Sequence, residues 1–174
     1  NYILVYIIMV SRLCAKRLNK EISMYKKENF SFPNLILRYD DDDILTWYFI
    51  VHDLQDTAFQ GGVYFGKIML HHEYPLKPPN FIFITPNGRF ETDKKICTTF
   101  SAYHEDTYTS TWNILTMMEG MISFMTDINP EKGIGYINTT DIEKNALAND
   151  SLSWNKNNEL FKTIFYDIDE ILQK

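Results

Sequence analysis

Cysteine is scarce in this sequence, which has two thiols, Cys14 and Cys97, among 174 residues. Two cysteines this far apart do not make a disulfide framework, so we expect a reducing compartment. No C-x-x-C motif or metal-type histidine pair is present, and we predict neither a metal site nor a cofactor. A small buried hydrophobe is the alternative interpretation of each cysteine.

Basic residues are also in the minority, with 17 Lys and Arg against 23 Asp and Glu and a net charge of −6. Nucleic-acid-binding domains normally present a basic face, so this balance argues against a nucleic-acid partner. A local basic patch is still compatible with an acidic chain, and one occurs near the start of the sequence.

The apolar run at residues 2–10 is far shorter than the roughly 20 residues of a membrane-spanning helix. It also lacks the preceding basic segment of a signal peptide. We interpret residues 1–10 as an N-terminal apolar extension, either of the first helix or as a disordered tail, and residues 11–174 as one core domain. Because the chain starts at Asn1 and stops at Lys174 within a helical pattern, we expect a longer parent protein.

Apolar residues make up 45% of the chain and aromatic residues 15%, which is enough for a substantial core. Residues 11–27 are predicted to form the first helix, with Ser11 as its cap. Its apolar stripe recurs at helical spacing in Cys14, Leu18, Ile22 and Tyr25.

Four β segments are predicted next, over residues 35–39, 44–52, 63–70 and 81–84. Their short connections indicate an antiparallel meander rather than a βαβ repeat. Four consecutive aspartates, Asp40 to Asp43, separate the first two segments. We interpret them as a solvated turn, because consecutive carboxylates on a tight turn cannot all converge on one ion.

Residues 85–111 show no helical period, and irregular segments of this length are often functional. Helical spacing returns at Leu115, and a capping box at Thr140 and Glu143 predicts a third helix to about Asp150. A final helix is predicted from the stripe Phe161, Phe165, Ile168 and Leu172. The fold class is therefore α+β, with an N-terminal helix, a four-stranded antiparallel meander, a long active-site loop and C-terminal helices packed against one sheet face.

Several short motifs occur in the order and spacing found in ubiquitin-conjugating enzymes, and the chain resembles that family over roughly residues 11–170. They are KRLNKE at 16–21, GGVY at 61–64, YPLKPP at 74–79 and IC at 96–97. Each motif is weak alone, whereas their joint order is specific.

Other motifs make the chain similar to the branch of that family anchored to the endoplasmic reticulum by a C-terminal tail. They are ITPNGRF at 84–90, with Thr85 where most relatives have His, YH at 103–104 with DT at 106–107, SFM at 123–125 and TTD at 139–141. The resemblance implies a location on the cytosolic face of that membrane and a role in degradation there. It implies membrane attachment only through an anchor that these 174 residues do not contain.

The resemblance also implies site residues. Cys97 would carry ubiquitin as a thioester, since a thiolate is the required nucleophile. Asn87 would donate a hydrogen bond to the oxyanion formed during attack. An alternative and compatible role for Asn87 is to hold the nearby loop through backbone hydrogen bonds. His104 would deprotonate or polarise the incoming lysine, unless it is an ordinary surface histidine.

Partner surfaces follow in the same way. Lys16, Arg17 and Lys20 match the basic patch that relatives present to the ubiquitin-activating enzyme, although a solvated helix face explains them equally. Leu70 matches an apolar position that ligases, here of the RING type, contact; if it is buried it is simply core. Ser110 lies in the second ligase-contact loop.

That second loop departs from the branch pattern. Branch members usually have Pro after the loop histidine and Trp-Asn-Pro before Trp112, whereas this chain has Glu105 and Tyr108-Thr109-Ser110. The loss of two prolines is expected to loosen the loop, which leaves the choice of ligase open.

Two further interpretations stay open. One is a non-catalytic ubiquitin-binding variant of the same fold, against which the retained Cys97 argues. The other is conjugation of a different ubiquitin-like modifier, which the same site residues would also permit. The expected partners in the leading hypothesis are ubiquitin, the activating enzyme, a ligase and substrate proteins.

Overall fold

A computed structural model describes residues 11–27, 33–98, 101, 107–128, 133–137 and 139–173. The predicted α+β architecture is confirmed, with a first helix, four strands and then helices in chain order. The elements are α1 (Arg12–Lys27), β1 (Leu35–Tyr39), β2 (Thr46–His52), β3 (Val63–Met69), β4 (Asn80–Phe83), α2 (Ile114–Thr126), α3 (Asp141–Lys156), α4 (Glu159–Ile164) and α5 (Ile168–Ile171). The apolar extension predicted at residues 1–10 lies outside the described residues.

The four strands form one antiparallel sheet in the order β1-β2-β3-β4, which confirms the meander. Gly66 in β3 is paired with Phe49 on one side and Phe83 on the other. Those two rings meet edge to face with their centroids 5.1 Å apart. The missing side chain at Gly66 leaves the space in which this aromatic contact forms.

Both faces of the sheet are covered, so the prediction that helices pack against one face is wrong. Successive strand side chains point to opposite faces, and in β2 both sets are apolar and buried. The β2 side chains on one face pack into the larger core with buried residues of α1 and α2, including Leu18 and Met118. Tyr48 and Ile50 face the other way and pack with Phe161 and Phe165 in a second core.

The single final helix predicted from the apolar stripe is instead two short helices, α4 and α5. The backbone leaves helical geometry at Phe165, with φ −118° and ψ 48°. Arg38 of β1 donates to the Ile164 carbonyl and to the Asp167 carboxylate at this break. The stripe still packs on the sheet, because the break keeps Phe161, Phe165 and Ile168 on the covered side.

Other boundaries differ by a few residues. The strand β2 begins at Thr46 because Asp43 accepts hydrogen bonds from the Leu45 N–H and the Thr46 hydroxyl, which keeps the acidic segment in a turn. The predicted capping box of Thr140 and Glu143 is present, but α3 continues to Lys156. Within the described residues, no helix combines the length and the apolar character needed to cross a membrane.

Candidate functional site

Cys97 lies in an irregular segment that follows the sheet. Its backbone N–H donates to the Ile134 carbonyl at 2.9 Å, and the Ile96 N–H donates to the Phe81 carbonyl at 3.0 Å. Ile96 and Thr98, on either side, are buried, whereas Cys97 itself is partly exposed. The segment is therefore held on both sides while its thiol residue keeps access to solvent.

The segment beside Cys97 runs over residues 133–137. Ile134 accepts from Cys97, the Gly135 carbonyl accepts from the Glu91 N–H at 2.8 Å, and the Ile137 N–H donates to Arg89 at 3.0 Å. These bonds form a short irregular ladder between the turn after β4 and the cysteine. The sequence pattern predicted neither a helix nor a strand for this stretch.

Gly135 is the residue on which that ladder depends. Its φ of +84° favours glycine, and an added Cβ would lie 3.0 Å from the Lys95 carbonyl oxygen and 3.2 Å from the Ile96 Cα. The two backbones approach this closely because Gly135 has no side chain. A G-x-G pair after the second helix was the available signal, but nothing in the sequence linked it to Cys97.

Asn87 is 1% exposed and bonded to its own turn. Its Nδ2 donates to the Thr85 carbonyl at 2.9 Å, and its Oδ1 accepts from the Arg89 and Phe90 N–H groups at 2.9 and 2.8 Å. These are the bonds that the loop-holding role requires. The oxyanion-donor role stays a prediction, and it would use the remaining hydrogen on Nδ2.

Arg17 of the predicted basic patch ties α1 to the segment before α2. Its guanidinium donates to the Ser110 carbonyl at 2.8 Å and to the Trp112 carbonyl at 2.5 Å, and it pairs with Glu21. Because these acceptors engage the side chain, the exposed basic residues of the predicted patch reduce to Lys16 and Lys20. Ser110 is exposed, with its carbonyl bonded to Arg17.

Glu21 is a buried junction that the sequence analysis did not single out. It is 6% exposed, and it accepts from the Tyr74 hydroxyl at 2.7 Å and from the Ile114 N–H at 2.9 Å. Burial, reinforced by this carboxylate, raises the pKa of Tyr74, so its hydroxyl remains a donor. One carboxylate thus joins α1, the proline-containing link and the start of α2.

Leu70 is 7% exposed and belongs to the larger core. Because it is buried, it is a core residue rather than an exposed ligase anchor. Its neighbour Met69 is 39% exposed and Leu76 is 64% exposed. The exposed apolar side chain next to Leu70 in the chain is therefore Met69, which the motif match did not select. His104 lies outside the described residues.

Three adjacent side chains after β3, His71, His72 and Glu73, have possible ligand atoms within 4.8 Å of one another. The Nδ1 atom of His71 accepts from the Glu73 N–H at 3.1 Å, and Lys77 lies 4.0 Å from the Glu73 carboxylate. Both contacts compete with a cation for the same atoms. We therefore assign no metal to this surface cluster.

Comparison with known proteins identifies similar sequences. The family model described as ubiquitin-conjugating enzyme matches residues 17–160. The chain is 40% identical over 157 residues to ubiquitin-conjugating enzyme E2 34 of Arabidopsis thaliana. The matched stretch covers 90% of this chain and 65% of that relative. It is 35% identical to the E2 J2-like enzyme of Dictyostelium discoideum, with 87% of each chain covered.

The human relative, ubiquitin-conjugating enzyme E2 J2 of Homo sapiens, is 34% identical over 91% of this chain and 60% of its own length. The chain spans 65% and 63% of the two Arabidopsis relatives that it matches. A solved structure from Plasmodium yoelii, described as a ubiquitin conjugating enzyme, has a TM-score of 0.56 at 20% identity over 67% of this chain and 77% of that one. At this identity the structural likeness supports the fold alone.

Proposed function

Because the chain belongs to the ubiquitin-conjugating enzyme family, we propose that it carries ubiquitin as a thioester on Cys97 and passes it to a lysine or to a ligase. The observation that carries this proposal is the partial exposure of Cys97 in a segment whose backbone is held on both sides. The contrast with the fully buried Cys14 supports Cys97 as the reactive thiol.

The proposed reaction has two acyl transfers. The Cys97 thiolate attacks the ubiquitin carbonyl held as a thioester on the activating enzyme, whose thiolate leaves. A lysine amine then attacks the Cys97 thioester, loses a proton and forms an amide bond as the Cys97 thiolate departs. Asn87 would donate to the oxyanion formed as the lysine attacks, and His104 would take the proton from lysine.

The partners proposed with this reaction are ubiquitin, the activating enzyme, a RING-type ligase and substrate proteins. Lys16 and Lys20 are exposed on α1 and would speed encounter with an acidic activating enzyme. The branch motifs described in the sequence support a role in degradation at the endoplasmic reticulum.

The deciding experiment is adduct formation with activating enzyme, ATP and ubiquitin, followed on non-reducing and reducing gels. We expect one adduct that dithiothreitol cleaves. Cys97→Ser should give an ester that resists dithiothreitol but yields to hydroxide, and Cys14→Ser should behave as the unmodified chain does.

Absence of any adduct would overturn the proposal in favour of a non-catalytic ubiquitin-binding module. An adduct only with another ubiquitin-like protein would keep the thioester chemistry and replace the substrate. Both modifiers are therefore supplied in parallel, each with its own activating enzyme.

The role of His104 is tested separately by discharge of the thioester to free lysine between pH 6 and 9. We expect His104→Ala to slow discharge, by roughly tenfold to a hundredfold, most strongly where the imidazole is neutral. A variant with the same pH profile and the same rate as the unmodified chain would remove the base role.

A further inference from the structure

Thr85, which stands where the resemblance places His in most relatives, is 0% exposed. Its hydroxyl, its carbonyl and its N–H are all hydrogen-bonded. Its hydroxyl accepts from the Phe65 N–H at 2.8 Å and donates to the Asn155 Oδ1 at 2.5 Å. Its own N–H donates to the Phe65 carbonyl at 3.1 Å. The side chain therefore connects the sheet to a helix that is 70 residues away in sequence.

Asn155 lies near the end of α3 and is also fully buried, at 0% exposure. Its Nδ2 donates to the Val63 carbonyl at 2.7 Å, while its Oδ1 accepts from Thr85. The two bonds fix the orientation of the carboxamide, because one end can only donate and the other can only accept. A second residue of the same helix, Ser151, accepts from the Val63 N–H at 2.8 Å without touching Thr85.

The carbonyl of Thr85 continues the network into the site, since it accepts from the Asn87 Nδ2. Asn87 in turn holds the Arg89 and Phe90 N–H groups. The irregular ladder completes the path. In it, the Ile137 N–H donates to the Arg89 carbonyl, and the Cys97 N–H donates to the Ile134 carbonyl. Hydrogen bonds thus run from α3 through Thr85 and Asn87 toward the reactive cysteine.

We propose that Asn155 and Thr85 are positioning residues, and that their buried hydrogen bond sets the orientation of the Asn87 amide beside the Cys97 segment. Neither side chain touches the reacting atoms. They act because the Asn87 Nδ2 has two hydrogens, and fixing one on the Thr85 carbonyl fixes the direction of the other. In this chain a hydroxyl and a distant carboxamide together hold the backbone that carries Asn87.

The physical consequence of removing the hydroxyl follows directly. Thr85→Val keeps the shape of the side chain but leaves the Phe65 N–H and the Asn155 Oδ1 without their partner. A buried polar group left unpaired is destabilising, so the Thr85 backbone is expected to shift toward another donor or acceptor. That shift would reorient the Asn87 amide through the Thr85 carbonyl.

The test compares four variants: Thr85→Val, Asn155→Leu, Thr85→Ser and Ser151→Ala. Thr85→Ser keeps the hydroxyl and is the rescue variant. Ser151→Ala is the matched control, because Ser151 is equally buried and fastens the same helix to the same strand. Each variant is measured for discharge of a preformed thioester to lysine, for unfolding by urea, and by NMR for the Asn87 side-chain amide.

We expect Thr85→Val and Asn155→Leu to slow discharge about tenfold each and to move the Asn87 amide resonances. The double variant should be no slower than either single one, because both remove the same bond. Thr85→Ser should stay within about twofold of the unmodified chain. Ser151→Ala should lower the urea midpoint while leaving the discharge rate and the Asn87 resonances unchanged.

Unmoved Asn87 resonances in Thr85→Val, fully additive effects in the double variant, or equal slowing by Ser151→Ala would each overturn the inference. The rate readout rests on the proposed function, whereas the amide resonances do not. If the unmodified chain forms no adduct, the proposed function fails and the resonances alone decide the positioning role.

Discussion

The two cysteines of this protein occupy opposite kinds of environment. Cys14 lies on the inner stripe of α1, is 0% exposed and belongs to the larger core. Burial, with a smaller contribution from Glu21, raises its pKa to about 11. Cys97 lies in a segment without helix or strand and is partly exposed.

The difference comes from the backbone that carries each thiol. In α1 the helical period places Cys14 on the same face as Leu18, so packing of the helix buries both. Around Cys97 the chain has neither helix nor strand, with Ile96 and Thr98 buried and the cysteine between them partly exposed. The irregular backbone therefore leaves Cys97 partly exposed, whereas the helical period of α1 buries Cys14.

The largest expected effect concerns alkylation. Iodoacetamide at neutral pH should modify Cys97 at least about a thousandfold faster than Cys14, because Cys14 becomes accessible only when the domain opens. Mass spectrometry of tryptic peptides gives both rates, with Cys14→Ser and Cys97→Ser identifying each product. Comparable rates in the folded protein would contradict the comparison, whereas comparable rates in urea are expected.

Replacement of Asn87 should sharpen the account of the Cys97 region. Asn87→Ala is expected to slow discharge of the thioester by about a hundredfold and loading by much less, since discharge needs the oxyanion donor. Equal slowing of both steps, measured by single-turnover gels, would point to a purely structural Asn87.

The variant Asn87→Asp separates the two roles further. It keeps an oxygen that accepts from the Arg89 and Phe90 N–H groups but removes the Nδ2 donor. Rapid discharge by Asn87→Asp would exclude the donor role.

Gly135→Ala should perturb the support of Cys97 from the neighbouring segment. The positive φ and the contact with Lys95 and Ile96 are expected to lower the free energy of unfolding by about 2 kcal/mol and adduct formation by about tenfold. Gly61→Ala is the control, since Gly61 has a similar φ of +79° with nothing within 4 Å of an added Cβ. Adduct formation that falls equally in both variants would show that crowding beside Cys97 is irrelevant.

The smallest expected effect is the part of the pH dependence of the free energy of unfolding that the Cys14 thiol causes. The folded pKa of this thiol is about 11, above its ordinary value of 9.0, so the folded state holds the proton more tightly. Its contribution is fully present below pH 9 and is lost as pH rises through about 11. Urea titrations should show a shallower decline across this range for Cys14→Ala than for the unmodified chain. Parallel declines would contradict a buried neutral thiol.

Local patterns predicted most of the elements. The stripe from Cys14 to Tyr25 defined α1 because a helix repeats every 3.6 residues, and the Thr140 capping box marked the start of α3. The predicted single helix at the end of the chain failed at Phe165, where Arg38 of β1 donates to the Ile164 carbonyl. An apolar period continues across such a break and cannot reveal it.

The residues of the candidate site also divide into those that local patterns predicted and those that they did not. Motifs predicted Cys97 and Asn87 as candidates. They did not predict Glu21, Gly135 or Asn155, because each of these acts on a residue distant in sequence. A distant pairing also involves the predicted basic patch. Arg17 has the right charge and spacing for an open surface, yet its acceptors are carbonyls at positions 110 and 112.

The sequence by itself determined the order of the elements, the caps of the helices and the placement of one thiol in an irregular stretch, since these depend on interactions between near neighbours. Only the tertiary structure decided which thiol is sealed, which faces of the sheet are covered and which distant carboxamide holds Thr85. Those outcomes depend on hydrogen bonds and packing between segments 70 or more residues apart, as in Thr85 to Asn155 and Arg17 to Ser110. No local period encodes such pairings.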